Sequence, residues 1–157
     1  MSTASVSASM DPFKLSRFLA AQDGIYEEVL REIKSGQKRS HWMWFVFPQI
    51  SGLGSSAMAR RYAIRGLDEA RNYLDHPILG ARLAECTRIV NSLQGRSALQ
   101  IFGTPDHLKF CSSITLFEFV AGADSEFSRA LNKYCAGKRD LTTLGLLQVP
   151  GKAEDKK

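Results

Sequence analysis

His41-Trp42-Met43-Trp44-Phe45-Val46-Phe47-Pro48-Gln49, followed by Ser51-Gly52-Leu53-Gly54-Ser55-Ser56, is the stretch around which the chain is organised. It holds both tryptophans and two of the nine phenylalanines. Trp42, Trp44 and Val46 alternate with Met43, Phe45 and Phe47, but both sets are apolar, so neither a period of two nor one of 3.6 stands out. A buried strand and a tight irregular segment both fit. Pro48 ends the run because proline has no N–H to extend either element. His41, two tryptophans and Gln49 this close together suit a pocket that stacks a flat ring and touches an anionic group. They also suit an aromatic core with His41 and Gln49 satisfying buried backbone.

On the N-terminal side, Ile25, Val29 and Ile33 fall four apart, with Tyr26 and Leu30 widening the stripe, and Gly36 supplies a helix stop. Arg31, Lys34, Lys38 and Arg39 make the exit of this helix positive. They serve either as a solvated face that complements the helix dipole or as a field that steers an anion. Further back, Asp11-Pro12 can cap and open a short helix carrying Phe13, Arg17 and Phe18.

On the C-terminal side, the glycine and serine turn leads into a helical pattern of Met58, Arg61, Tyr62 and Arg65. Free N–H groups at such a start attract phosphate. Leu67, Ala70 and Leu74 mark a further helix, broken at Asp75-His76-Pro77. A long helix from Pro77 to about Leu93 carries Leu79, Leu83, Cys86 and Val90, and a short helical turn spans 98–102. Thr104-Pro105-Asp106 combines cap, proline and acid, and it opens a segment that is apolar nearly all round to Val120. Such a helix is central and buried. Its polar residues are therefore informative: Asp106, Lys109 and Ser113 share a face, with Ser112 beside them. They form either a polar strip lining a pocket or a rim ion pair with serines bonded back to the helix. Ser125 and Asp140 start the last two helices. The expected architecture is mainly α: one compact domain of seven or eight short helices around the helix at about 105–120, over residues 11–149. Residues 1–10 and 150–157 read as disordered tails.

At 157 residues with 44% hydrophobic and 24% charged residues, the chain can bury one substantial core. No apolar run spans a bilayer and Met1 to Ser9 has no signal-peptide features, so a cytoplasmic protein without membrane association is expected. Cys86, Cys111 and Cys135 lie far apart on apolar stripes without a C-x-x-C. Buried free thiols are expected, and no metal site or cofactor. The net charge of +5 favours an anionic partner without selecting one. Nothing in the sequence fixes the oligomeric state.

The series Arg17-Phe18…Ala21-Gln22, Gly36…Lys38…His41-Trp42-Met43-Trp44-Phe45…Phe47-Pro48-Gln49, Gly52-Leu53-Gly54-Ser55, Glu69-Ala70…Tyr73-Leu74…His76-Pro77…Leu79-Gly80…Arg82-Leu83, Ile101-Phe102-Gly103…Asp106…Lys109…Ser112-Ser113…Thr115-Leu116-Phe117 resembles the family catalogued as domain of unknown function 1810. The resemblance covers about residues 11–148 and implies a mostly helical single domain without an established activity. The order of Trp42–Phe47, Leu67–Leu74, Pro77…Leu79-Gly80…Arg82 and Lys109-Phe110 is similar, in topology, to the NADAR superfamily. That likeness implies cleavage of N-glycosidic bonds in ADP-ribose derivatives.

Three functions follow as expectations. An N-riboside hydrolase needs a carboxylate to stabilise the ribosyl cation and a donor to the leaving base. Asp106 is the first candidate and Glu69 the second, with Lys109 or His41 as donor. Trp42, Trp44, Phe47 and Gln49 would hold the base, with Gly52, Gly54, Ser55 and Arg82 at a phosphate and Ser112 and Ser113 lining the pocket. A non-catalytic module for a nucleotide or nucleic acid is the second expectation. A structural or protein-interaction domain is the third.

Overall fold

The computed structural model describes residues 11–147. The expected tails, at 1–10 and 150–157, lie outside them. Nine helices follow in order among the described residues: α1 (Ser16–Gln22), α2 (Tyr26–Ser35), α3 (Met43–Val46), α4 (Ala57–Arg61), α5 (Leu67–Asp75), α6 (Leu79–Ser92), α7 (Ala98–Phe102), α8 (Asp106–Ala121) and α9 (Glu126–Tyr134). A further helix, α10, begins at 141 and reaches 147. Among the described residues the only β pairing is a parallel bridge between Ile50 and Ile64. The fold is mainly α, and no described helix is long and apolar enough to cross a membrane.

Local chemistry sets most boundaries. Gly36 ends α2 with φ 81°, a left-handed angle that a side chain resists. Ser56, Ser97 and Ser125 cap α4, α7 and α9, each accepting a backbone N–H of the first turn. Gln100 completes a capping box on α7. Asp140 accepts from the Thr143 N–H at 3.0 Å and so opens α10.

Helix α8 is the centre, as its all-round apolar pattern requires. It packs against α3, α5, α7 and α9, while α6 joins α2, α5 and α9. Phe110, Ile114, Leu116 and Phe117 on α8 are fully buried. Phe110 stacks on Phe102 with ring centroids 4.6 Å apart and meets Phe47 edge-on at 5.1 Å. Tyr73 bridges Phe18, which it meets edge-on at 5.0 Å, and Phe117, tilted at 5.4 Å. The stripe Leu79, Leu83, Cys86 and Val90 closes the core from α6. The α5–α6 corner is tight at Gly80, where a Cβ would lie 1.9 Å from the Leu74 carbonyl oxygen.

Several expectations are corrected. The aromatic stretch is neither strand nor irregular: Met43–Val46 is a helical turn whose apolar residues face inward nearly all round. The pattern Met58 to Arg65 stops at Arg61, because the chain turns out so that Ile64 can accept the Ser51 N–H at 2.7 Å and donate its own N–H to the Gln49 carbonyl at 2.9 Å, forming the Ile50–Ile64 bridge. Asp11 does not open a helix at Pro12. Its carboxylate accepts the Leu15 and Ser16 N–H groups, and α1 starts at Ser16. Thr104 is not the cap of α8: the Thr104–Pro105 peptide is cis and Pro105 occupies that place. Only Cys86 is a buried free thiol, and burial pushes its thiol up to about 12. Cys111 and Cys135 form a disulfide that ties α8 to the end of α9. Sequence alone hid this pair because each cysteine also fits an apolar stripe.

Candidate functional site

The segment between α2 and α3 is held by one carboxylate. Glu32 lies on the inner side of α2, beside Val29 and Ile33, and is buried. It accepts the backbone N–H groups of Arg39 at 2.8 Å and Ser40 at 3.0 Å, the Ser40 hydroxyl, and the Trp42 indole N–H at 2.9 Å. Burial alone would raise its pKa. The donors from Ser40, Arg39 and Trp42 outweigh burial and hold the carboxyl down at about 2. Trp42 is thereby fixed as a core residue with its one polar atom satisfied.

This anchored segment delivers Lys38 to the start of α8. Lys38 Nζ lies 2.8 Å from Asp106 Oδ2, with only 7% of its side chain exposed. Its backbone N–H bonds to the Ile101 carbonyl at 2.7 Å, and its ammonium sits 5.2 Å from the Trp42 ring centroid. One turn along α8, Lys109 Nζ lies 3.6 Å from Asp106 Oδ1 and 4.9 Å from the Trp44 ring centroid. One carboxylate thus stands between two ammonium groups, each against a tryptophan face. The cluster carries a net positive charge.

Two depressions adjoin it. The larger, about 440 Å³, is walled by Gln49, Ser55, Ser56, Lys109, Ser112 and Asp140. The smaller, about 190 Å³, is walled by Trp44, Gln49, Ser51, Gly52, Arg60 and Tyr62. They share Gln49, Gly54 and Ala59, so they are neighbours over one turn of chain. Together they offer a half-exposed aromatic face, an amide, several hydroxyls and a lysine. Among the described residues no cluster of His, Cys, Asp and Glu could hold a metal ion.

The sequence candidates divide. Trp44, Gln49, Gly52, Gly54, Ser55, Lys109 and Ser112 line these walls. Asp106 stands beside them as the partner of Lys109. Trp42 and Phe47 belong to the core and cannot stack a ligand. Ser113 is fully buried, and its hydroxyl has no partner among the described residues, so it is not bonded back to the helix. His41 is exposed. Glu69 does not reach the cluster: its buried carboxylate pairs with Arg17 at 2.8 Å and accepts the Arg65 N–H at 2.9 Å. Arg82 is likewise committed, bonding Gln22 Oε1 at 3.0 Å and lying over the Tyr26 ring. The helix start after the glycine turn is no phosphate site either. Helix α4 has five residues, and Ser56 already takes the Ala59 N–H.

Lys38, Glu32 and Asp140 were missed. Glu32 left one signal, an acid on the inward stripe of α2. Lys38 showed only as one of the cations at the exit of α2, and its pairing left no signal, since its partner is 68 positions away in the chain.

The family model described as Protein of unknown function (DUF1810) matches residues 12–147. The chain belongs to this family. Among solved structures, the conserved hypothetical protein Rv1873 from Mycobacterium tuberculosis is similar, with 54% identity and a TM-score of 0.85. The match covers 87% of this chain and 98% of that one. Among curated proteins, none matches the chain. These relatives establish fold and family and bring no reaction with them. The cluster of Lys38, Trp42, Trp44, Asp106 and Lys109 is therefore read from its own geometry.

Proposed function

We propose that the two adjoining depressions together bind a small nucleotide-like anion, its flat ring against Trp44 in the smaller and its anionic group at Lys109 in the larger. The observation that carries this reading is the Lys109 ammonium 4.9 Å from the Trp44 ring, at the wall of the 440 Å³ depression. A cation beside an aromatic face, with Gln49, Ser55 and Ser112 nearby, supplies charge, stacking and hydrogen bonding together. Members of the ADP-ribose and mononucleotide class fit those three demands.

Binding is favoured over riboside hydrolysis at Asp106. A ribosyl cation needs a locally negative environment. Asp106 instead lies between Lys38 and Lys109, which leave that corner positive. A hydrolase in the same depression would have to draw on Asp140, which lines it but whose carboxylate already accepts the Thr143 N–H and hydroxyl as the cap of α10.

The test is thermal unfolding with AMP, ADP-ribose and NAD, using wild type and Lys109→Met. A ligand at about 100 times its dissociation constant stabilises the fold by roughly 2.7 kcal/mol. The wild type gains that shift with at least one of the three, and Lys109→Met loses it. No shift in wild type with any of them refutes the reading.

A further inference from the structure

The Trp44 depression runs on into a cleft of about 370 Å³, the two sharing Ser51, Arg60 and Ala63. Lys14, Arg17, Ser51, Arg60, Arg61 and Arg65 line it. Five of those six are cationic, and three segments of chain bring them together: the turn before α1 with α1 itself, α4, and the residues leading into α5. Among the described residues only one carboxylate answers them. Glu69 pairs with Arg17 at 2.8 Å and with Arg65 at 3.4 Å, whereas Lys14, Arg60 and Arg61 pair with none.

The cleft is rigid as well as positive. Arg17 donates to the carbonyls of Phe13, Lys14, Arg61 and Ala63, at 2.6 to 3.0 Å, and so ties its walls together. Arg17 and Glu69 are the frame. Lys14, Arg60, Arg61 and Arg65 line the concavity as exposed side chains; the Arg60 guanidinium also donates to the Ser55 carbonyl, that of Arg65 to the Phe13 carbonyl at 3.4 Å, and that of Arg61 lies 5.6 Å from the Tyr62 ring centroid, contacts that leave the charge uncancelled. Like charges gathered around a small space are unfavourable without a counter-charge, and a concave wall focuses their field.

Charge density selects the ligand class. A phosphodiester chain brings one negative charge per phosphate, spread along its length. A diphosphate group concentrates roughly three within a few ångströms, extending the charge of a monoester. We propose that this cleft binds a diphosphate or triphosphate group, either free or at the end of a nucleotide. The proposal rests on the cations of this cleft and not on Lys109, although Ser51, Arg60 and Ala63 line both it and the Trp44 depression.

Calorimetric titration at about 50 mM salt tests it, because such binding weakens steeply with added salt. The probes are pyrophosphate, tripolyphosphate, ADP, sulfate and a short single-stranded oligonucleotide. Pyrophosphate or tripolyphosphate should bind saturably and at least about tenfold more tightly than sulfate. The double variant Lys14→Asn/Arg61→Gln should weaken this about tenfold or more, asparagine being chosen because Lys14 has a φ of 54°. Arg88→Gln, on the exposed side of α6, should leave it unchanged. ADP equal to pyrophosphate indicates a site for the phosphate group alone; tighter ADP indicates a nucleotide. Sulfate binding as well as pyrophosphate, an equal loss in Arg88→Gln, or an oligonucleotide binding more tightly than either polyphosphate overturns the proposal.

Discussion

Lys38 Nζ and Asp106 Oδ2 lie 2.8 Å apart, joining the segment before α3 to the first residue of the central helix. The Lys38 side chain is almost wholly removed from water, and Asp106 keeps 19% exposure. A pair of this kind stabilises less by its own attraction than its loss costs, because one partner left alone is a buried, uncompensated charge.

Asp106→Asn therefore acts on the fold first. The variant should lose about 2–3 kcal/mol in urea unfolding, less than a fully buried pair would because Asp106 is partly solvated. Replacing both partners, Lys38→Met with Asp106→Leu, should cost less than Asp106→Asn alone. An Asp106→Asn variant as stable as wild type would make the pair energetically idle.

Glu32 gives the protein a defined acid sensitivity. Its carboxyl sits near 2 in the folded state against 4.5 for an ordinary glutamate. The folded pKa is depressed, so the stabilisation is complete above about 4.5 and is lost as pH falls toward 2. The difference corresponds to roughly 3 kcal/mol. Glu32→Gln should be destabilised at neutral pH by about that amount, and its stability should be flatter between pH 5 and 2. Stability-versus-pH curves that run parallel for the two proteins would contradict this account.

The two tryptophans should behave differently in solution. Trp42 is 1% exposed and hydrogen-bonded, whereas Trp44 is half-buried at the edge of a depression. Iodide should quench one emitting component and leave the other. Trp44→Phe should abolish the quenchable component. Equal quenching of both would mean that the segment 41–49 is not held as described.

Gly80 tests the packing of α5 on α6. A methyl group there would meet the Leu74 carbonyl at 1.9 Å, so Gly80→Ala must push the two helices apart. The expected cost is about 2 kcal/mol or more, despite alanine's better helix propensity. Gly66→Ala, where a Cβ meets nothing within 4 Å, is the matched control for added bulk.

Much of this fold was legible one element at a time. Gly36, Ser125 and Asp140 marked helix ends by chemistry that acts within a few residues. The apolar residues spread nearly all round the segment from Leu108 to Val120 identified the central helix. The pocket wall was half legible for a similar reason: Lys109 and Ser112 share the polar side of α8. What stayed hidden depends on distant partners. Lys38 looks like any exit lysine until the fold sets it on Asp106. Glu69 and Arg82 looked like free chemistry until Arg17 and Gln22 engaged them. Cys111 and Cys135 each read as core until α9 folded back on α8. Trp42 and Trp44 carry the same side chain two positions apart, and only the helical turn at Met43–Val46 sends one inward and leaves the other at the surface.

The central claim is that Lys109 and Trp44 form a nucleotide-binding wall. The most direct measurement is a titration of the protein with AMP followed by tryptophan emission, in wild type, Lys109→Met and Trp44→Phe. Saturable quenching in wild type is predicted, with at least about tenfold weaker binding in Lys109→Met, the loss expected when a charge-assisted contact is removed. In Trp44→Phe the optical response should vanish. No saturable change in wild type, or one that Lys109→Met leaves intact, would contradict the account.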